Sequence, residues 1–360
     1  MKKIICLLLL TCMFLGITAC GQSVGENQIN DPITLTDASG KQLTIESLPK
    51  NIVIAGKQTP MIIDLMYLFP NADAKIVGIE NRSQTTTNFL DAISPSSSVK
   101  VNLEKGACAE QIAAQNPDLV ILKTSMAEEI GAGLEKLEIP ILYVSMESIA
   151  ELETDITNIG IVLGDSERAV EILDQYSNLQ SDIEEKISAN QDTKPDVLLL
   201  QYSEENGEVS FEIPPATWLQ TNLVEMAGGI PVWKEAAESG GWTTVNMEQI
   251  ADWNADIVIV VNYNGDSDGT VLKLLENSTW QHLEAAKNDK VYGFPGDFIS
   301  WDQPDSRWIL GFNWLAAKIN PKEFQDIDFN IIVADFYRVF YSLDDSTVQQ
   351  NIIPLLYGSF

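Results

Sequence analysis

Two thirteen-residue segments of this 360-residue chain nearly coincide: residues 110–122 read EQIAAQNPDLVIL and residues 248–260 read EQIADWNADIVIV, identical at eight positions. Each opens on an acid, continues as a short amphipathic helix, turns through Asn and Asp, and ends in an apolar run too short for a helix. That order describes a helix delivering the chain into a strand buried on both faces, as in parallel sheets. A unit seen only twice at this spacing is not a solenoid, which needs stacked neighbours. The repeat predicts two related α/β lobes.

The N-terminus says where such lobes work. Lys2 and Lys3 precede an apolar stretch at 4–17, which is short for a bilayer span and suits a secretory leader. Ile17-Thr18-Ala19-Cys20 then places small residues before a cysteine and resembles the bacterial lipoprotein processing box. In that reading residues 1–19 are a removed signal peptide, a lipid on Cys20 anchors the protein to the membrane, and residues 20–31 form a tether. An ordinary leader with a chance cysteine is the alternative. Cys6 and Cys12 leave with the leader, so Cys108 is the one thiol in the folded body and no internal disulfide can form. Set between Ala107 and Ala109, it reads as a packed or half-buried thiol and not a reactive one. A mature chain of this length can bury a large core in two domains. The net charge of −30, −32 once Lys2 and Lys3 are gone, excludes nucleic acid as a partner. Against that acidic background the four arginines, at 82, 168, 307 and 338, stand out.

Apolar runs at 51–55, 75–79, 119–122 and 141–144 alternate with helical stretches at 60–69 and 126–137. The second half repeats the style, with runs at 197–201, 257–261 and 291–294 and helices at 217–227 and 304–319. Strands alternating with helices imply parallel sheets. Between the halves lies the longest helical pattern. Asp165 or Ser166 can cap it, and Leu173, Tyr176, Leu179, Ile183 and Ile187 form one apolar stripe opposite Glu167, Asp174, Gln180, Glu184 and Glu185. A stiff helix of this kind permits only modest hinging.

Several segments together carry a family resemblance. They are ITLTDASGKQLTI (33–45), Glu110 with Asn116-Pro117-Asp118-Leu119-Val120, WLQTNLVEMAGG (218–229), residues 242–261, and 294–316 with SWDQPDSRWILGFNWLA. In their order and spacing the chain resembles the substrate-binding lipoproteins of bacterial ABC importers, in the helical-backbone class that takes up iron siderophores, haem, cobalamin and, in some members, molybdate or tungstate. The resemblance implies an α/β fold of two Rossmann-like lobes with parallel sheets, 32–145 and 196–360, joined by a single long backbone helix within 146–195. Ligand would lie in the cleft between the lobes, held by loops at the carboxyl ends of strands. It also implies an extracytoplasmic monomer that is not an enzyme, has no cofactor of its own, and delivers its ligand to a permease dimer driven by a cytoplasmic ATPase. Glu110 and Glu248 match the family positions where one glutamate per lobe meets arginines on the permease. A two-fold permease needs the same charge presented twice. An acid in the first turn of a helix is also favoured by the helix dipole, and the two roles are compatible.

The ligand site is expected on loops after strands. Residues 57–60, with Lys57 and Gln58, and residues 81–84, with Arg82, follow first-lobe strands, as do residues 123–125 and Met146; Tyr202, Asn262, Tyr263 and residues 294–303 follow second-lobe strands. Arg307 sits just past this second set, near a helix that Pro304 can initiate. Two arginines facing a cleft imply an anionic ligand, because guanidinium donates two parallel bonds to carboxylate, catecholate or oxyanion. Arg307 can equally pair with Asp302 or Asp305, whereas Glu80 is the one acid near Arg82. Trp301, between Ser300 and Asp302, reads as a partly exposed ring in a tight loop with Asp302 and Gln303. Trp218, Trp242, Tyr202 and Tyr263 can wall a flat or greasy chelate, while Trp308 and Trp314 read as core.

His282 is the single histidine, so a multi-histidine zinc or manganese site cannot be built and no metal site is assigned. Haem ligation by Tyr or Met stays open. Gly228-Gly229 and Gly240-Gly241 lack the Lys or third Gly of a phosphate cradle, and no G-x-S-x-G turn accompanies His282. The reading is therefore a solute-binding lipoprotein for an anionic metal chelate of the iron-siderophore, haem or corrinoid class. A molybdate or tungstate binder is the alternative ligand reading. A surface-anchored metalloenzyme or chelatase is the alternative from another class.

Overall fold

The computed structural model describes residues 32–82, 89–94, 97–188 and 194–360. The leader, Cys20, the tether through Asp31, and Ser83 and Gln84 of the expected first-lobe loop lie outside the described residues. Among the described residues no helix is long and apolar enough to cross a membrane. Alternating burial begins the fold: β1 (Ile33–Thr36) and β2 (Gln42–Ile45) pair antiparallel with Ile33, Leu35, Leu43 and Ile45 inward. One Asp37 oxygen closes the hairpin by accepting the N–H groups of Ser39 and Lys41 at 2.9 and 3.1 Å.

The first lobe alternates strand and helix: β3 (Ile52–Ile54), α1 (Thr59–Met66), β4 (Ile76–Glu80), α2 (Phe89–Ile93), β5 (Val101–Leu103), α3 (Ala109–Ala113), β6 (Leu119–Lys123), α4 (Ala132–Lys136) and β7 (Ile141–Val144). Its sheet is parallel throughout, in the order β5-β4-β3-β6-β7. The central strands are buried on both faces, which explains their unbroken apolar runs. Residues 126–137, expected as one helix, instead form a 3-10 turn, a π turn over Ala127–Gly131 and the short α4. Gly131 lies directly against the Tyr143 ring there, so the backbone itself takes up the close packing.

Two helices, α5 (Ile149–Leu163) and α6 (Ser166–Ser188), lead to the second lobe. The α6 stripe is rotated from the one expected: Ala169, Ile172, Tyr176 and Ile183 are buried, and Leu179 is exposed. Inward residues follow what packs on each side, and α6 is bonded to both lobes. Arg168 donates through Nε to the Leu68 carbonyl at 3.0 Å and through Nη2 to the Phe340 carbonyl at 2.9 Å. The Tyr176 hydroxyl donates to the Ser306 carbonyl at 2.7 Å.

The second lobe holds β8 (Asp196–Glu205), β9 (Glu208–Ile213), α7 (Leu219–Met226), β10 (Ile230–Pro231), β11 (Thr243–Val245), α8 (Met247–Trp253), β12 (Ile257–Val261), α9 (Ser267–Leu275), α10 (Glu284–Lys287) and β13 (Val291–Gly293). Then come α11 (Trp308–Ile319), α12 (Phe329–Tyr341) and α13 (Asp345–Asn351). Strands β8, β12 and β13 are parallel, but β9 and β11 add an antiparallel edge that periodicity alone did not show. Helix α11 starts at Trp308, not at Pro304, because Asp305 Oδ1 accepts the Arg307 N–H at 2.9 Å and holds a turn.

The matched residues of the repeat do matched work. Gln111 and Gln249 reach back to the N–H of Cys108 and Asn246 at 2.9 and 3.1 Å, capping α3 and α8. Asn116 and Asn254 take the left-handed backbone that ends each helix, with φ of 50° and 39°. Asp118 then accepts the N–H of Lys50 and Asn51, and Asp256 that of Asp196, tying each repeat strand to its neighbour's start. Cys108, expected as packed or half-buried, is exposed because its place is the helix cap.

Candidate functional site

Three first-lobe loops converge on one buried carboxylate. Glu80, at the end of β4, is fully out of water. Its Oε2 accepts the Gly56 N–H at 2.6 Å, and its Oε1 accepts the Gly106 N–H at 2.8 Å and the Arg82 Nε at 2.6 Å. The loops after β3, β4 and β5 are thereby fixed to a single point. Gly56 is required there: its φ is 82°, and a Cβ would stand 2.8 Å from the Met126 side chain. Glu80 was missed in the sequence except as a neighbour of Arg82; the signal was an acid closing an apolar strand.

Above Glu80 lies a cavity of about 550 Å³. Lys57, Gln58, Arg82 and Lys105 line it from the first lobe, with Pro60, Asn81 and Glu104, and Tyr263 and Asn264 line it from the second. The structure thus brings four of the expected ligand residues, Lys57, Gln58, Arg82 and Tyr263, to one place, and adds Lys105. Gln58 caps α1 in a left-handed backbone, so the positive end of that helix also faces the cavity. Three cations here stand out in a chain of net charge −30.

The second-lobe side is aromatic. Trp218 meets Trp242 edge-on with centroids 5.8 Å apart, and Trp242 meets Tyr263 at 6.1 Å. All three rings are half-buried, forming a row that ends at the cavity. Behind it, Asp302 accepts the Tyr263 hydroxyl at 2.5 Å, Ser300 Oγ at 2.5 Å and Gln220 Nε2 at 3.3 Å. Burial pushes the Asp302 carboxyl above its ordinary range, against the pull of those donors. Tyr263 spends its proton on Asp302, which leaves its ring as the surface offered to a ligand.

The other expected residues lie elsewhere. Trp301 and Asp302 are fully buried and Gln303 is 6 % exposed, so the WDQP loop supports the site from behind and is not its rim. Trp301, expected as partly exposed, donates to Asp297 and packs on Phe360, because the C-terminal residues cover it. Tyr202 lies within β8, packs on Phe211 and donates to Glu204 at 2.7 Å, outside the cavity. Arg307 does not face the cavity: it is 0 % exposed, with Asp64 and Asp305 on Nη1 at 2.6 and 2.7 Å and Asp297 on Nε at 3.0 Å. Lys123 is also buried, bonded to the Ser145 carbonyl and to Glu147 at 2.8 Å. Met146 is held inside by Asp155, whose carboxyl burial raises to about 7. Glu110 and Glu248 are exposed in the first turns of α3 and α8. The backbone N–H of Glu110 itself holds its carboxyl below the ordinary range.

Known proteins are similar to this chain in sequence and fold. Residues 56–298 match the family described as "Periplasmic binding protein". The Bacillus subtilis protein named "Uncharacterized ABC transporter substrate-binding lipoprotein YvrC" is 26% identical over 305 residues, covering 82% of this chain and 88% of its own. The molybdate-binding protein MolA of Haemophilus influenzae is 21% identical over 359 residues, covering 93% and 95%. The crystal structure of a periplasmic solute binding protein from Veillonella parvula DSM 2008 has a TM-score of 0.71 at 25% identity, covering 90% of this chain and 98% of that one. The family match runs from the tip of β3 to the loop beyond β13 and takes in more than half the chain; this chain belongs to the periplasmic binding protein family.

Proposed function

We propose that this protein is the extracytoplasmic solute-binding component of an ABC importer, anchored through Cys20, and that it carries an anionic metal chelate. The observation that supports it is the asymmetric cavity: Lys57, Arg82 and Lys105 on one side, the Trp218–Trp242–Tyr263 row on the other. About 550 Å³ suits an organic ligand of drug size. Cations recognise the charge, and ring faces cover a flat or apolar body. The second reading is molybdate, supported by the similarity to MolA over 93% of the chain.

Tryptophan quenching separates the two. Ferric tris(catecholate) or haemin is expected to quench the Trp218–Trp242 row, and molybdate to leave it unchanged. Arg82→Ala should weaken the quenching ligand about ten- to hundredfold, the range of one charge-assisted hydrogen bond. Wild-type affinity in that variant would remove Arg82 from the site.

Docking is a separate part of the proposal. The repeat's Gln, Asn and Asp have structural partners, whereas Glu110 and Glu248 face solvent at equivalent places. Paired exposed acids of this kind suit a two-fold permease surface. In vesicles holding the transporter, Glu110→Lys with Glu248→Lys should cut stimulated ATP hydrolysis at least about tenfold, with ligand affinity within about twofold of wild type. Cys20→Ser should release the protein from those vesicles. Undiminished stimulation by the double variant would refute the docking role.

A further inference from the structure

The two lobes meet through a buried cluster none of whose residues lines the cavity. Arg307 of the second lobe reaches Asp64 on α1 of the first, Nη1 to Oδ2 at 2.6 Å. Its Nε donates to the Tyr337 hydroxyl at 2.8 Å, and its guanidinium lies 4.6 Å over the Phe89 ring of α2. Tyr341 adds a second tie from α12, donating to the Asp64 carbonyl at 2.9 Å. Second-lobe groups therefore grip both α1 and α2. Helix α1 is only eight residues long, and its other end presents Gln58 and Pro60 to the cavity. A rod of about 12 Å carries any displacement of Asp64 to the cleft.

Three carboxylates, Asp64, Asp297 and Asp305, surround the one guanidinium. Facing the cluster are also Tyr337 and Tyr341 from α12, Tyr176 from α6 with Arg168 beside it, and Tyr357 from the C-terminal segment. Asp64 Oδ2 and Asp305 Oδ1 share the Arg307 Nη1, so the two carboxyl groups sit against the same guanidinium nitrogen. Burial, opposed by Arg307 and reinforced by Asp305, holds Asp64 well above the ordinary carboxylate range.

We propose that the Arg307–Asp64 contact is a latch between the lobes that sets the width of the cleft through α1. Arg307 is then a positioning residue, which orients the helix that lines the cavity without touching ligand. The importance of that width for ligand rests on the function proposed above; the width itself does not.

Electron–electron distance measurements test the latch without any ligand, using bio-orthogonal spin labels at positions 105 and 264, exposed residues on opposite sides of the cavity in the full chain. Asp64→Asn should keep the wild-type distance, because its amide oxygen can still accept from Arg307 Nη1. Asp64→Ala should lengthen or broaden it, and an unchanged distribution would overturn the latch. The buried carboxyl has its own signature. With Asp64 raised in the fold, its stabilising contribution is complete below the unfolded carboxylate value near 4 and is lost as pH rises towards the folded value. Wild-type stability should therefore fall more steeply with rising pH than that of Asp64→Asn. Equal slopes would overturn the sealed Arg307–Asp64 contact, and this arm holds even if Asp64→Ala does not fold. Ferric tris(catecholate) should bind Asp64→Ala at least about fivefold more weakly than wild type. A widened cleft with unchanged affinity would overturn the positioning role. A widened cleft in Asp64→Ala together with wild-type quenching in Arg82→Ala would support the latch and count against the ligand reading alone.

Discussion

Arg307→Ala is expected to destabilise the protein by about 3–5 kcal/mol, the usual result of removing one partner from a buried ionic group. The size follows from what remains. Arg307 is the cation common to Asp64, Asp297 and Asp305, and without it those carboxylates face each other out of water. A domain's whole stability is about 5–15 kcal/mol, so the variant should lie near the edge of folding at neutral pH. Acid should rescue it in part. With the guanidinium gone, nothing opposes the burial that already raises Asp64, so stability is present at low pH and lost as pH rises. Arg307→Lys keeps the charge but loses the planar fork that spans Asp64, Asp297 and Tyr337, and should fall between the two. Urea unfolding at pH 5 and pH 8 checks both statements. A midpoint for Arg307→Ala matching wild type at pH 8 would show that the cluster contributes nothing to stability.

Glu80→Ala should have the largest effect on binding of any residue that does not itself line the cavity. The substitution leaves the Gly56 and Gly106 N–H groups and the Arg82 Nε without their acceptor. Bonds to a charged group contribute about 1.5–3 kcal/mol each, and three on one carboxylate are not additive. A total of about 3–5 kcal/mol is expected, part of it in global stability and at least a tenfold share, about 1.4 kcal/mol, in ligand affinity. Glu80→Gln is the sharper variant. Its amide keeps one acceptor but turns a donor towards a backbone N–H or towards Arg82, so affinity should fall with little change in the unfolding midpoint. Calorimetric titration with the quenching chelate measures it, and wild-type affinity in Glu80→Gln would show that the loops hold their positions without this carboxylate.

Local chemistry made much of the frame readable. Strands 141–144 and 257–261 are apolar runs bounded by turn residues, and they fold with those limits. The repeat carried its own caps and turns, because Gln111, Asn116 and Asp118 act on groups a few residues away or on the adjacent strand. The antiparallel edge was less legible, since the outer strands β9 and β11 are partly solvated and lack a long apolar run. Cavity residues divide in the same way. Lys57, Arg82 and Tyr263 follow strands directly, and a strand end fixes where the next residue goes. Tyr202 was misplaced because β8 runs on through it to Glu205, and Trp301 because its polar neighbours are themselves buried.

By itself the sequence determined that the chain makes two related α/β lobes joined by a long helix, since helix caps, turn residues and apolar periodicity act over a few positions. It also set Glu110 and Glu248 apart as matched acids. The tertiary structure alone decided which charges line a cavity and which are sealed inside the fold. Arg82 and Arg307 look alike in sequence, yet one lines a cavity and the other is sealed against Asp64, 243 positions away. Burial is a property of what folds over a side chain, and no neighbouring residue reports it.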